Sequence, residues 1–210
     1  MARFASVGAV IVAVPAHRLE RWVANFSSRH GATSLRVVGG ALTGAAGDGS
    51  TFSARLPFAQ EYAGPADVAA FAAAVSAPDE WGVLLVRKGG FAAARLTGTS
   101  ISASKVGQRH VQGRTKAGGQ SQQRFARRRD NQARQAYEAA ADHAARVLSG
   151  LGGPLVTGGD HAAVDEVLTD PRLRGLRVDS RWLAVPDPKR SVLDQAVADA
   201  LSAWIVVHNA

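Results

Sequence analysis

Cysteine is absent from this sequence. That excludes disulfides and every zinc site built on thiolates, and it fits a reducing compartment. The histidines offer no substitute. His110, His143 and His161 lack ligand spacing, and His17 and His30 have no spaced partners. No metal site and no cofactor are expected. Long apolar runs are also lacking. The apolar run over 7–14 is far short of the ~20 residues that cross a bilayer. Only Arg3 precedes it, no small-residue cleavage site follows, and a helical pattern starts directly after, which disfavours a signal peptide. The expectation is a cytoplasmic protein with no membrane partner.

Acidic charge is nearly missing from one segment. Over 105–134 the sole acid is Asp130, against Lys105, Arg109, Arg114, Lys116, Arg124, Arg127, Arg128, Arg129 and Arg134. Nine bases minus one acid gives +8, the net charge of the whole chain; the other sixteen bases (25 − 9) and sixteen acids (17 − 1) cancel. Charge concentrated this way is a local device for meeting a polyanion. Seven of the nine glutamines lie in the segment or at its edge. They add neutral hydrogen-bonding capacity to the positive field.

The chain is long enough for one domain or two small ones. Its first part predicts a strand over 7–14, a helix over 18–29 stopped by His30-Gly31, and a short strand over 35–38. A Gly/Ala-rich turn through Gly49, a strand over 51–56 and a small helix over 66–75 follow. Ala77-Pro78-Asp79 marks the expected boundary between a small α+β region, 1–78, and a second domain, 79–210. The second part reads as a strand over 81–87, a Lys88-Gly89-Gly90 hairpin turn, a strand over 91–97 and a third over 101–106. A glycine-punctuated loop over 107–120 leads to a long helix over 121–148. Phe125, Ala133, Tyr137, Ala140, Ala144 and Leu148 form one stripe of that helix. A strand over 154–157, a helix capped by Asp160, a last strand over 181–185 and a last helix over 191–206 complete the pattern. Strands alternating with helices indicate an α/β domain with a mixed sheet and packed helices.

Gly118-Gly119-Gln120 lies at the loop-to-helix junction, within the basic segment. The tripeptide alone is weak, since chance places one in about one such chain in ten. Its chemistry is more informative. Paired glycines let the backbone approach a ligand closely. A helix start directly after them directs free N–H groups and positive dipole character forward. Gln120 would stand at that tip. Its amide does not titrate, so it can act only by position, orienting a water or stabilising developing charge. No Ser/His/Asp set accompanies it, and Ser121 reads as a helix cap. A catalytic segment of this kind needs a partner that supplies the remaining groups. A flexible basic loop with glycines for mobility fits the same residues.

Gly118-Gly119-Gln120-Ser121 is followed by Arg124-Phe125-Ala126-Arg127, and Leu155-Val156-Thr157-Gly158-Gly159 follows the long helix. With the hairpin strands before the loop, these residues resemble the central, catalytic domain of archaeal and eukaryotic-type peptide-chain release factors. The resemblance runs from Trp81 to about Ala200. It implies that Gly118, Gly119 and Gln120 enter the peptidyl-transferase centre of the large ribosomal subunit and promote hydrolysis of peptidyl-tRNA. RNA would supply the missing groups. Lys105, Arg109, Arg114, Lys116, Arg124, Arg127, Arg128 and Arg134 would contact RNA. The chain has room for neither a codon-reading domain nor a GTPase-binding one, and Gln122-Gln123 stands where release factors carry small or apolar residues. It therefore resembles the release-factor-like tRNA hydrolases of ribosome quality control, in a stand-alone actinobacterial branch. The implied activity is codon-independent release from stalled ribosomes or large subunits. The sequence leaves open a ribonuclease that cuts the 3′ end of the tRNA, and a non-catalytic ribosome- or RNA-binding module.

Overall fold

A computed structural model describes residues 9–108 and 121–210, with side chains along the long helix described from Arg134 onward. In chain order the elements are β1 (Val10–Val14), α1 (Leu19–His30), β2 (Thr33–Val38), β3 (Ala41–Ala46), β4 (Thr51–Arg55) and α2 (Val68–Ala74). Then come β5 (Glu80–Arg87), β6 (Gly90–Thr97), β7 (Ser100–Gln108) and α3 (Ser121–Val147). Next are β8 (Pro154–Gly159), α4 (His161–Leu168), β9 (Arg177–Leu183), α5 (Arg190–Ala200) and β10 (Ala203–His208). The chain forms two compact units, Met1–Ala77 with Ala198–Ala210, and Pro78–Val197.

The first unit is an antiparallel sheet in the order β1-β10-β4-β3-β2. Its core gathers Leu19 and Phe26 of α1, Phe71 of α2, and Leu42, Phe52 and Ile205 of the sheet. Gly31 ends α1 at φ 93°, its N–H bonded to the Ser27 carbonyl. Gly39 and Gly40 have φ of 56° and 72° and join β2 to β3 in a two-residue turn that requires positive φ. The stretch expected as a Gly/Ala turn is largely strand β3. Small residues suit it because the Phe52 ring crosses Gly44: a β-carbon there would lie 2.1 Å from Phe52 Cε1.

The C-terminus departs from expectation. The helix expected over 191–206 stops at Ala200, where Ser202 folds back and donates to the Ala198 carbonyl at 2.8 Å. Ala203 to His208 then run as a strand between β1 and β4, with Ala203 and Ile205 fully buried. Trp, Ile and two Val in succession suit a pleated strand better than a helix. Residues 198–210, expected in the second domain, thus belong to the first unit.

The second unit is a mixed sheet in the order β7-β6-β5-β8-β9. β5, β6 and β7 form an antiparallel meander, while β8 lies parallel to β5 and β9 parallel to β8. Residues Trp81 to Val86 are all buried, as expected of a central strand covered on both faces. α3 and α4 cover the face carrying Leu84, Val86, Phe91 and Ala93. Asp160 caps α4 through Ala163 N–H, which is worth about 1 kcal/mol. The strand expected over 181–185 is β9, which starts four residues earlier.

Candidate functional site

The two ends of the basic segment are fixed to the second unit. β7 pairs with β6 through Gly90↔Gln108, so Gly107 and Gln108, expected in the loop, belong to the strand. α3 is held by its C-terminal half. Ala140, Ala141, Ala144 and Leu148 are buried, and Tyr137 packs beside them. Tyr137, Ala140, Ala144 and Leu148 are the described members of the stripe read from the sequence, and Ala141 adds to it. Truncating Leu148 to Ala would cost about 2–5 kcal/mol.

Polar clamps reinforce this anchor. Arg172 donates to Asp142 on α3 at 2.6 Å and to Asp170 at 2.7 Å. The bonds that Asp170 accepts from the Arg172 side chain and then from its N–H hold the Asp170 carboxyl down to about 2. Past the helix end, Glu80 accepts from Gly152 N–H at 2.8 Å and pairs with Arg95, which also reaches the Ser149 carbonyl. The Gly152 bond, then Arg95, lowers the Glu80 carboxyl. At 1.5 Å per residue, Ser121 stands about 24 Å along the axis from Tyr137. α3 is therefore a strut: its rear is packed on the sheet, and its N-terminus carries the basic segment.

A cleft of about 290 Å³ lies at the root of the loop, bounded by Gly90, Phe91, Gln108, Gln135, Tyr137 and His143. Phe91 stacks on His143, with ring centroids 5.4 Å apart. The Phe91 ring lies over Gly107, where a β-carbon would come within 2.3 Å of Cε1. Burial, then Asp160 and Glu166, raises the Tyr137 hydroxyl. The sequence reading missed Phe91, Gly107 and His143. The glycine at the end of a strand was the available signal, since it marks close approach of a neighbour.

The glycine turn after β8 has a packing reason. A β-carbon on Gly158 would lie 2.3 Å from the Leu183 carbonyl oxygen, and one on Gly159, at φ 107°, would lie 2.3 Å from that of Val86. Both positions let parallel strands and the following cap approach closely.

Of the sequence-derived site residues, Lys105 is exposed on β7 and pairs with Ala93, on the face that α3 covers. Arg134 is exposed on α3. Arg124, Arg127 and Arg128 lie in α3, where side chains are not described. Gly118, Gly119, Gln120, Arg109, Arg114 and Lys116 lie outside the described residues, as does the expected loop conformation. Among the described residues no cluster of His, Asp or Glu is placed to hold a metal ion, and no helix is long and apolar enough to cross a membrane.

No curated protein matches the chain. A family profile does. It covers residues 79–206, from the start of the meander into β10, which is more than half of the 210 residues. It includes the hairpin, the Gly-Gly-Gln segment, the α3 strut and the glycine turn. The chain belongs to the Actinobacteria/chloroflexi VLRF1 release factor family.

Proposed function

We propose that this protein releases nascent peptide from peptidyl-tRNA on stalled ribosomes or free large subunits, without reading a codon. Family membership carries the reading. The geometry supports it: a tip sequence of Gly118-Gly119-Gln120 precedes a helix whose far half is locked to a sheet. A strut of this kind can carry a tip into a recess while the domain stays outside.

Gly118 and Gly119 would let the tip backbone pass close to RNA. Gln120 would orient a water against the ester carbonyl or stabilise the developing oxyanion. Lys105, Arg109, Arg114, Lys116, Arg124, Arg127, Arg128 and Arg134 would neutralise phosphates and fix the register. The large subunit and peptidyl-tRNA are the proposed partners, and the cytoplasm the proposed site of action.

The products of a reaction with labelled peptidyl-tRNA on purified large subunits test this directly. Ester hydrolysis leaves a free peptide and a full-length tRNA. A shortened tRNA, with a remnant on the peptide, would replace the hydrolase by a nuclease.

A further inference from the structure

β1 and α1 of the first unit lie outside the residues that the family profile covers. Among the described residues β1 is an edge strand, paired on one side with β10. Sheet edges are usually blunted by charge, proline or a bulge. The opposite edge strand, β2, exposes Ser34 and the charged Arg36, with Val38 at its end. β1 reads Val-Ile-Val-Ala-Val, and its Val10 and Ile11 are 51% and 56% exposed. Proline appears only after the strand, at Pro15.

A groove of about 640 Å³ runs beside this edge, between Val12 and Val14 of the strand and Arg18, Arg21, Trp22 and Asn25 of α1 and its start. A second hollow of about 320 Å³ continues it past Val10 to Phe26 and Arg29. The two share Val12, Trp22 and Asn25. Their floor is aromatic: Trp22 stacks on Phe26 and meets the edge of Phe52 at 5.2 Å. Five strand residues at 3.3 Å span about 17 Å, and the twelve residues of α1 span about 18 Å at 1.5 Å each. Strand and helix therefore frame a slot one extended segment long.

The charged side chains lining the slot are arginines, and at its far end His30 is paired with Asp48 at 2.9 Å. Arg18, Trp22, Asn25 and Arg29 follow one another at helical spacing on the side facing β1, and Arg21 lines the same groove. Glu20, the one acid of α1, lines neither hollow; it lies in a neighbouring one with His17 and Ala72, which Arg21 also borders. The three arginines are exposed.

We propose that this slot binds an extended acidic peptide segment of a partner protein, which adds a strand to β1. Backbone ladder bonds to the open edge supply affinity, and alternate side chains supply specificity. Side chains on the α1 side would be glutamate-like, with methylenes over Trp22 and carboxylates on Arg18, Arg21 and Arg29. Side chains on the other side would be apolar, beside Ile11 and Ala13. The proposal is independent of the release reading, and its test contains no ribosome.

The test titrates the full chain into labelled Glu-Ile-Glu-Val-Glu-Ile-Glu. Comparison probes are the same peptide with Lys for Glu and a fifteen-nucleotide oligouridine. The Glu peptide should bind at least tenfold tighter than the Lys peptide. It should protect alternate β1 amides from exchange. The pair Arg18→Glu and Arg21→Glu should weaken it at least tenfold, Arg18→Lys with Arg21→Lys should largely retain it, and the Glu pair should leave oligouridine affinity unchanged. Equal binding of both peptides, or no protection at β1, would overturn the proposal. So would an equal loss of oligouridine affinity, which makes the slot a general polyanion surface. Concentration-dependent dimers abolished by Ile11→Asp would assign the edge to a second copy instead.

Discussion

A β-carbon on Gly107 would sit 2.3 Å from Cε1 of Phe91. The two residues are directly opposite one another on β7 and β6, at the root of the basic loop. The ring occupies the space that a side chain would take, and it stacks on His143 of α3. The end of β7 and the strut thus meet through one aromatic side chain. Gly107→Ala should destabilise the second unit by about 1–3 kcal/mol, the scale of overpacking. Phe91→Leu should relieve part of that cost, so a double-mutant cycle should show coupling of at least ~0.5 kcal/mol. Denaturant unfolding of the four proteins measures it, and additive effects would separate the two residues.

The Arg172 clamp predicts an acid-sensitive contribution. Arg172 holds the Asp170 carboxyl at about 2, below its ordinary 3.8. A lowered folded-state value means the ionised form is favoured by folding. The contribution is complete above the ordinary value and is lost as pH falls from 3.8 towards 2. Asp170→Asn should therefore be less stable than wild type near neutrality, and the gap should close through that window. Unfolding midpoints of both proteins measured across the acid range check this. A gap that stays constant would assign the effect of the substitution to something other than ionisation.

The parts of the fold legible in the sequence were those where local pattern and burial agree. The β5–β6 hairpin, the α3 stripe at Tyr137, Ala140, Ala144 and Leu148, and the Asp160 cap each follow from short-range rules. β3 was hidden because its small residues reflect a neighbour, the Phe52 ring on Gly44, rather than strand preference. β10 was hidden because its apolar run follows α5 closely, and no local pattern says that it joins the sheet of the first unit. The assignment of Gly118, Gly119 and Gln120 rests on resemblance alone, since these residues lie outside those described. The Phe91–His143 stack was not legible, since it joins residues far apart in sequence.

The basic segment predicts steep salt dependence. Neutralised phosphates release counterions, so ribosome affinity should fall with a log–log slope of ~0.7–0.9 per phosphate contacted. Arg127→Ala with Arg128→Ala should weaken binding and flatten the slope by about one to two. Equilibrium binding to large subunits at several salt concentrations measures this. An unchanged slope would remove those two arginines from the RNA interface.

The most direct test separates binding from chemistry at Gln120. The glutamine is neutral, so its loss should leave fold and ribosome affinity nearly intact while the arginines and lysines supply the electrostatic term. Release should slow at least ~100-fold, the scale for losing one preorganised polar group in a transition state. The measurement is single-turnover peptide release from large subunits carrying peptidyl-tRNA, at saturating protein, with binding followed in parallel. Wild-type binding with release slowed at least ~100-fold in Gln120→Ala is the predicted result. Wild-type binding with wild-type release would contradict the account and leave the protein a ribosome-binding module.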